Sequence, residues 1–440
     1  MRTRPLCPGW QSVVVQLQQN PPHVVIIGGG IAGLCTAYYL RKSGASVTVL
    51  ETRRVGSGAS AGNAGWITPA QAGPLPEPGL VGYGLRSLAS PDSALYFDPR
   101  QLVRMVPWLI HFARRCNEAD HRRGRIALAA LGRRCFELID GMAADGVAAE
   151  LHRVPLLVAA QSAEHAETFR ARLEPIAPLG FRIPDALLGG DELRSLEPAL
   201  SSAVGAGFVL EQHCHVEPLS LVRGLRARLE ELGVNISEGT EVREVELDGA
   251  RVAALRTSSG TFHCDSAVLA PGAWIRSLAP VFGARVPVEA GKGYSFEITP
   301  RRMRRHALLL VEPHVGCSPL GDRMRIAGTM EFSGVNARLN RRRIQSIIDG
   351  AGQMIDGSLP VDQDSVWCGL RPIAPDGLPI IDRHPRIPNV FFAGAYSMLG
   401  MTLAAPAGES LARFVLSGRR PAELEPFSYT RFHRPLGMGL

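Results

Sequence analysis

An α/β fold, with a parallel nucleotide-binding sheet and a second mixed-sheet α+β domain, is predicted by three observations. A glycine fingerprint follows an apolar strand near residue 23, an acid closes the next strand, and two later buried strands also end in glycine. The first strand, His23–Ile27, is almost wholly β-branched, which suits a strand covered on both faces. It runs directly into Gly28-Gly29-Gly30-Ile31-Ala32-Gly33, a G-x-G-x-x-G spacing. Gly28 permits the tight turn, Gly30 lets a pyrophosphate approach the backbone, and Gly33 lets the next helix lie close to its strand. A helix is expected over 31–42 and a second parallel strand over 47–50, ending at Glu51. That carboxylate stands about 20 residues past the glycines, where a ribose hydroxyl is bound. It would repel a 2′-phosphate, which argues against NADP.

The later strands fill out the same sheet. Residues 267–270 run into Pro271-Gly272, and residues 390–393 run into Gly394. Ligands of open α/β sheets lie beyond the carboxyl ends of such strands. One nucleotide-binding domain is therefore expected from three segments, 23–80, 196–280 and 367–430, capped by a second domain from 81–195 and 281–366. Between them, helical spacing recurs over 101–147, and strands are expected at 151–160 and 204–211. A helix over 219–232 stops at Gly233. A meander follows at 241–247, Arg251–Thr257 and 261–264, joined by Asp248-Gly249 and Ser259-Gly260 turns. More strands are expected within 285–331, and a helix over 338–350.

At 440 residues the chain exceeds one ordinary core, and 45% hydrophobic with 20% charged residues is the balance of a folded globular protein. The net charge is +7 and nearly all of the positive charge is arginine, since lysine occurs only at Lys42 and Lys292. The basic runs at 301–305 and 341–343 come with no nucleic-acid motif, so nucleic acid is not an expected partner. The eight cysteines include no C-x-x-C pair, which fits a reducing, cytoplasmic setting. His213-Cys214-His215 reads as a strand end before Pro218, and no metal site is expected. No stretch approaches the roughly 18 apolar residues of a membrane span. Residues 1–22 carry four prolines and no continuous apolar core, and are expected to be a disordered extension.

Further segments carry a resemblance. They are Ser60-x-x-Asn63-Ala64-Gly65-Trp66, Ala270-Pro271-Gly272-Ala273-Trp274, Gly369-Leu370-Arg371-Pro372, Asp376-Gly377-Leu378-Pro379-Ile380, and GAYSMLGMTLAA from 394 to 405. In this order they resemble the FAD-dependent D-amino-acid oxidase superfamily, and within it the bacterial D-amino-acid dehydrogenase and hydroxyproline-dehydrogenase branch. The likeness spans 23–415 and implies a Rossmann-like FAD domain with a substrate domain above it.

Carried over residue by residue, it implies that Gly28, Gly30, Ile31, Ala32, Gly33, Glu51 and Thr52 hold the ADP half of FAD. Ser60, Asn63, Ala64 and Gly65 match the loop that passes the pyrophosphate toward the flavin. Val242 matches the residue at the adenine, Gly272 the second glycine-ended strand, and Gly400, Met401 and Thr402 the helix start at the flavin pyrimidine. Arg371 matches the arginine that grips the substrate carboxylate, and a planar guanidinium suits that task by its bidentate donor fork. Lys292-Gly293-Tyr294-Ser295 matches a strand on the substrate face, so Tyr294 is expected to touch the substrate or wall its pocket.

Tyr396 replaces a histidine common near the flavin, and Asp382 replaces a glycine. The position of the flavin-attaching cysteine of sarcosine-oxidase-like relatives falls at Gly369, while Cys368 points to the opposite strand face, so FAD is expected to be non-covalent. The implied reaction is hydride transfer from the Cα of a D-amino acid to flavin N5, giving an imine and then a 2-oxo acid and ammonia. The alternatives are a secondary amino acid (proline, D-hydroxyproline, sarcosine, glycine) as substrate, or a flavin-binding subunit of a larger dehydrogenase. The acceptor is expected to be a quinone or oxygen, with peripheral contact at the inner membrane face as one setting.

Overall fold

The computed structural model describes residues 21–89, 93–300, 305–357 and 359–432. Residues 1–20 of the expected extension over 1–22 and residues 301–304 of the basic run lie outside the described residues. The chain starts with β1 (His23–Ile27), α1 (Ile31–Lys42) and β2 (Ser46–Leu50). After β3 (Trp66–Ile67), α2 (Leu80–Ala89) and β4 (Leu95–Phe97), three helices follow: α3 (Pro99–Arg115), α4 (Glu118–Gly132) and α5 (Cys135–Ala144). Next come β5 (Leu151–His152), β6 (Leu156–Ala160), α6 (Ala163–Ala171), β7 (Leu188–Gly189), α7 (Gly190–Leu196), β8 (Ala206–Leu210), β9 (Cys214–Val216) and α8 (Pro218–Glu231).

The second half holds β10 (Asn235–Ser237), the meander β11 (Val242–Asp248), β12 (Arg251–Thr257) and β13 (Gly260–His263), then β14 (Ser266–Leu269) and the short α9 (Ile275–Leu278). It continues with β15 (Glu289–Ile298), β16 (Ala307–Leu310), β17 (Val315–Leu320), β18 (Arg323–Phe332), α10 (Arg341–Met354), β19 (Val361–Ile373), β20 (Ile380–Arg383), β21 (Val390–Gly394) and α11 (Gly400–Ser417).

The nucleotide sheet has the order β10-β2-β1-β14-β21-β20, parallel except for β20. The three glycine-ended strands are thus neighbours, and Gly28, Gly272 and Gly394 collect at their carboxyl ends. Alternation along β1 explains its unbroken apolar sequence. Val24 and Ile26 face a core shared with α1, α8 and α11, while Val25 and Ile27 face a core shared with the meander and α9.

The larger sheet has the order β19-β15-β18-β17-β16-β6-β8-β7, with β4 on β18, and α10 covers one face with Ile347 and Met354. Two expected boundaries move. Strand β8 lies within 196–280 yet belongs to the larger sheet, and so does the 367–373 end of β19. Conversely, α4 and α5 lie within 81–195 but bury Leu128, Leu131, Leu138 and Met142 in the core of the nucleotide sheet. Periodicity identifies these elements, while long-range pairing decides which layer each one joins.

His213-Cys214-His215 enters β9, which pairs with β3 and β5. Among the described residues no group of three histidines, cysteines or carboxylates is placed to hold a metal ion. Among them, too, no helix is long and apolar enough to cross a membrane.

Candidate active site

The turn between β1 and α1 explains its glycines by space. Gly28 has φ +118°, and a Cβ there would lie 2.3 Å from the Ala270 carbonyl oxygen. A Cβ on Gly33 would lie 2.0 Å from the Gly28 oxygen. Gly30 differs: the nearest atom to its Cβ position is Ser60 Oγ at 3.5 Å, so the space in front of it is open. Gly30 is also the N-cap of α1 and makes no side-chain cap. In the first turn of α1 the Ile31 N–H donates to Ser60 Oγ at 3.0 Å. Ala32 follows in the first turn, which contains no acid. A helix start without a side-chain cap and with open backbone in front of it has the geometry of a phosphate cradle. Glu51 ends β2 and accepts from the Gly29 N–H at 2.8 Å and the Arg53 N–H at 2.9 Å, which fixes its carboxylate beside the cradle.

The segment 60–66 leaves this cradle and crosses to the larger sheet, where three consecutive carbonyls are taken by three strands. Ser295 Oγ of β15 donates to Gly62 O at 2.5 Å, Arg325 of β18 to Asn63 O at 3.2 Å, and Ser318 Oγ of β17 to Ala64 O at 2.7 Å. Asn63 also folds the loop on itself by accepting from the Gly65 N–H at 2.7 Å. Gly65 has φ +71°, and a Cβ would lie 1.9 Å from the Val216 oxygen. Arg325 is held in turn by Glu297 at 2.7 Å and Glu217 at 3.3 Å, all three largely buried. Neither Ser318 nor Arg325 stands out in the sequence; the available signal is one polar residue inside an otherwise apolar strand.

A cavity of about 610 Å³ lies between this loop, the sheet face and helices α2 and α3. Leu95, Phe97, Trp108, Phe112 and Phe332 make much of its wall apolar, and Met401 and Thr402 at the start of α11 close another side. Thr402 Oγ1 accepts from the Thr68 N–H and donates to Trp66 O, each at 3.1 Å, so it ties α11 to β3. Arg371 enters from β19. Its Nη1 donates to Thr329 O at 2.8 Å and approaches Met330 Sδ at 3.8 Å. Burial pushes its pKa down, and no carboxylate offsets the shift. Arg371 is thus a half-buried cation without an acidic partner among the described residues, and it opens on a largely apolar cavity.

Two expected side chains, those of Tyr294 and Tyr396, point elsewhere. In β15 the side chains alternate, and Gly293 lies against Arg371 on the cavity face. Tyr294 therefore points to the other face, into the core beneath α10, and donates its hydroxyl to Glu331 Oε2 at 2.8 Å. Tyr294 still lies among the residues that line the cavity, but its hydroxyl is turned away from it. Tyr396 is buried in the core of the nucleotide sheet with Cys35 nearby, and burial pushes its pKa up. It does not line the cavity. Thr52 is exposed beyond β2.

The remaining positions are compatible with their expected roles. Val242 is buried at the start of β11, Gly272 has φ +58° with open space at its Cβ position, and Gly400 begins α11 beside Ile31. At Gly369 a Cβ would fall 2.0 Å from the Trp367 ring, which also covers Gly62, while the Cys368 thiol is turned to Ala337 O. Trp367 is a cavity residue that the sequence reading missed.

A fingerprint cradle, a carboxylate at the ribose position and a clamped loop leading to an apolar chamber fit FAD. The chain matches the family described as DAO, FAD dependent oxidoreductase, over residues 23–414. It belongs to that family. This FAD-dependent oxidoreductase is 31% identical over 418 residues to a D-amino acid dehydrogenase of Paramagnetospirillum magneticum, covering 91% of this chain and 96% of the relative. A D-amino acid dehydrogenase of Methylobacterium radiotolerans is 30% identical over 413 residues, with coverage of 91% and 96%. Among solved structures, the L-proline dehydrogenase of P. horikoshii superposes with a TM-score of 0.73 at 19% identity, covering 94% of this chain and 98% of that one. The glycine oxidase of Geobacillus kaustophilus gives 0.72 at 21%, with 93% and 99% covered. Membership of the family makes the chain an FAD-dependent oxidoreductase.

Proposed function

We propose that the substrate is a D-amino acid and that the enzyme is a dehydrogenase of its Cα–N bond, giving an imine that water hydrolyses to a 2-oxo acid and ammonia. The observation that carries this reading is Arg371, a half-buried guanidinium with no acidic partner among the described residues, set in a largely apolar cavity. FAD, when bound, supplies the two-electron acceptor for the Cα hydride at its N5. The protein supplies position. Arg371 holds the carboxylate by its donor fork, and the apolar wall takes the side chain and excludes water. The amine must react in its neutral form, and its proton passes to solvent, so no side-chain base is required.

The D configuration and the dehydrogenase reading are supported by the names of the relatives at 30–31% identity. A quinone at the inner membrane face is the proposed acceptor. Val81 and Leu85 of α2 line the cavity and are also exposed, and Val103, Val106 and Ile110 of α3 are exposed as well. Arg100, Arg104 and Arg114 are exposed on the same helix, an arrangement suited to an anionic lipid surface.

The test is anaerobic bleaching of the FAD-loaded enzyme by D- and N-alkyl amino acids, followed by reoxidation with a quinone analogue or oxygen. D-amino acids with apolar side chains should bleach it, and the quinone should restore the colour faster than oxygen does. Bleaching by proline, hydroxyproline, sarcosine or glycine alone would move the assignment to secondary amines. A loaded chain that nothing bleaches would favour a flavin-binding subunit.

A further inference from the structure

The carbonyl that holds Arg371 belongs to an irregular residue. Thr329 has φ +59°, a left-handed conformation that a β-branched side chain rarely adopts, and it is buried. It sits in a bulge. Lys292 of β15 pairs with Glu331 of β18 and Tyr294 pairs with Gly328, so Gly293 alone stands opposite both Thr329 and Met330. The extra residue turns the Thr329 carbonyl toward the cavity face, where it meets the guanidinium at 2.8 Å.

The opposite face of the same bulge carries a buried polar cluster that the proposed chemistry does not use. Lys292 and Glu331 are the register pair at one end, and their side chains meet at 2.9 Å with exposures of 2% and 4%. Lys292 Nζ also donates to Asn336 Oδ1 at 3.0 Å and to Arg338 O at 2.9 Å. Tyr294, the register residue at the other end, donates to Glu331 at 2.8 Å and thus spans the irregularity. A buried ion pair is poor evidence for stability, and fixing a register is among its best-attested uses.

We propose that Tyr294, Glu331 and Lys292 are positioning residues: from the far side of the sheet they lock the bulge whose Thr329 carbonyl aims Arg371 into the cavity. The inference rests on the reading of Arg371 as the carboxylate anchor. It gives the Tyr294 hydroxyl, which is turned away from the cavity, a role in substrate affinity.

The experiment uses FAD-loaded Tyr294→Phe and Glu331→Gln. It measures the Kd of a carboxylate competitor (benzoate) and a neutral one (benzamide) from flavin absorbance, with KM, kcat and Tm. Both variants should weaken benzoate by about tenfold, the scale of one charge-assisted contact, and raise KM similarly, while benzamide and kcat change less than about twofold. In an Arg371→Leu background, Tyr294→Phe should have no further effect on benzoate. Equal weakening of both competitors, or an undiminished effect in that background, would reduce the cluster to general stability and overturn the proposal. Unchanged benzoate affinity in Tyr294→Phe would also overturn it, and this variant removes one hydroxyl from a chain that keeps its ion pair. If Arg371→Leu itself leaves benzoate binding intact, the carboxylate anchor fails instead.

Discussion

Gly293 and Arg371 face each other across adjacent strands so closely that a Cβ on the glycine would lie 2.0 Å from the guanidinium nitrogen. The glycine provides the space that lets a bulky cation lie flat on the sheet and still open on the cavity. Gly293→Ala must therefore displace the guanidinium while leaving the nucleotide cradle untouched. The expected result is normal FAD content by absorbance with KM raised at least about tenfold, the scale of a lost charge-assisted contact. Steady-state kinetics on the FAD-loaded variant checks it.

The two helix-start glycines should separate folding from cofactor binding. A side chain at Gly30 meets only Ser60 Oγ at 3.5 Å, and the backbone there (φ −78°) suits any residue. Gly30→Val should fold with little change in apoprotein Tm yet purify colourless, because the side chain fills the phosphate space. Gly33→Ala presses on the Gly28 carbonyl at 2.0 Å and should lower the Tm of the apoprotein itself. Thermal melts beside the flavin spectrum distinguish the two.

Ser318 offers a third test. Its hydroxyl donates to Ala64 O at 2.7 Å and accepts from the Trp66 indole N–H at 2.8 Å. Ser318→Ala leaves both groups without a partner, a cost of about 1–3 kcal/mol each where water cannot replace it. The loss falls on the loop proposed to lead from the phosphate space to the flavin. FAD affinity by fluorescence titration should drop more than the apoprotein Tm would suggest, because Ser295 and Arg325 still hold the neighbouring carbonyls.

How much was legible in the sequence depended on the range of the interaction. The βαβ start, the meander and the three glycine-ended strands follow from local periodicity and turn residues, and each falls within a residue or two of its expected place. The alternation that sends Cys368 away from the cavity applies equally to Tyr294, whose neighbour Gly293 shares a face with Arg371. The side-chain direction was thus available from strand geometry, whereas the motif match pointed the other way. The clamp on residues 62–64 was not available, because it joins residues more than 230 positions apart through carbonyls that every residue possesses. Asp382 lies between these cases. Its identity departs from the expected glycine, and the reason is tertiary: its carboxylate accepts from Ser428 Oγ and the Tyr429 N–H, each at 2.8 Å, and pairs with Arg420, pinning the chain after α11.

Acid should unfold the protein through histidines that are buried neutral. His384 is 3% exposed, and its Nδ1 accepts from the N–H groups of Arg386 at 3.2 Å and Ile387 at 2.9 Å. Burial, with Arg386 nearby, pushes its pKa from 6.5 down to about 4. Burial likewise takes His213, beside His215, down to about 3. Each folded pKa lies below the unfolded one, so the unfolded chain binds more protons throughout the interval between them. Stability is therefore fully present above pH 6.5 and falls as the pH drops from there toward 4. The slope approaches about 1.4 kcal/mol per pH unit for each such histidine. His384→Asn keeps an acceptor near the two N–H groups and removes the titration. Its urea-unfolding midpoint should match the parent's near pH 7.5 or fall slightly below it, yet decline less steeply between pH 6.5 and 4.5. Parallel acid limbs in the two proteins would show that His384 does not contribute to the acid lability.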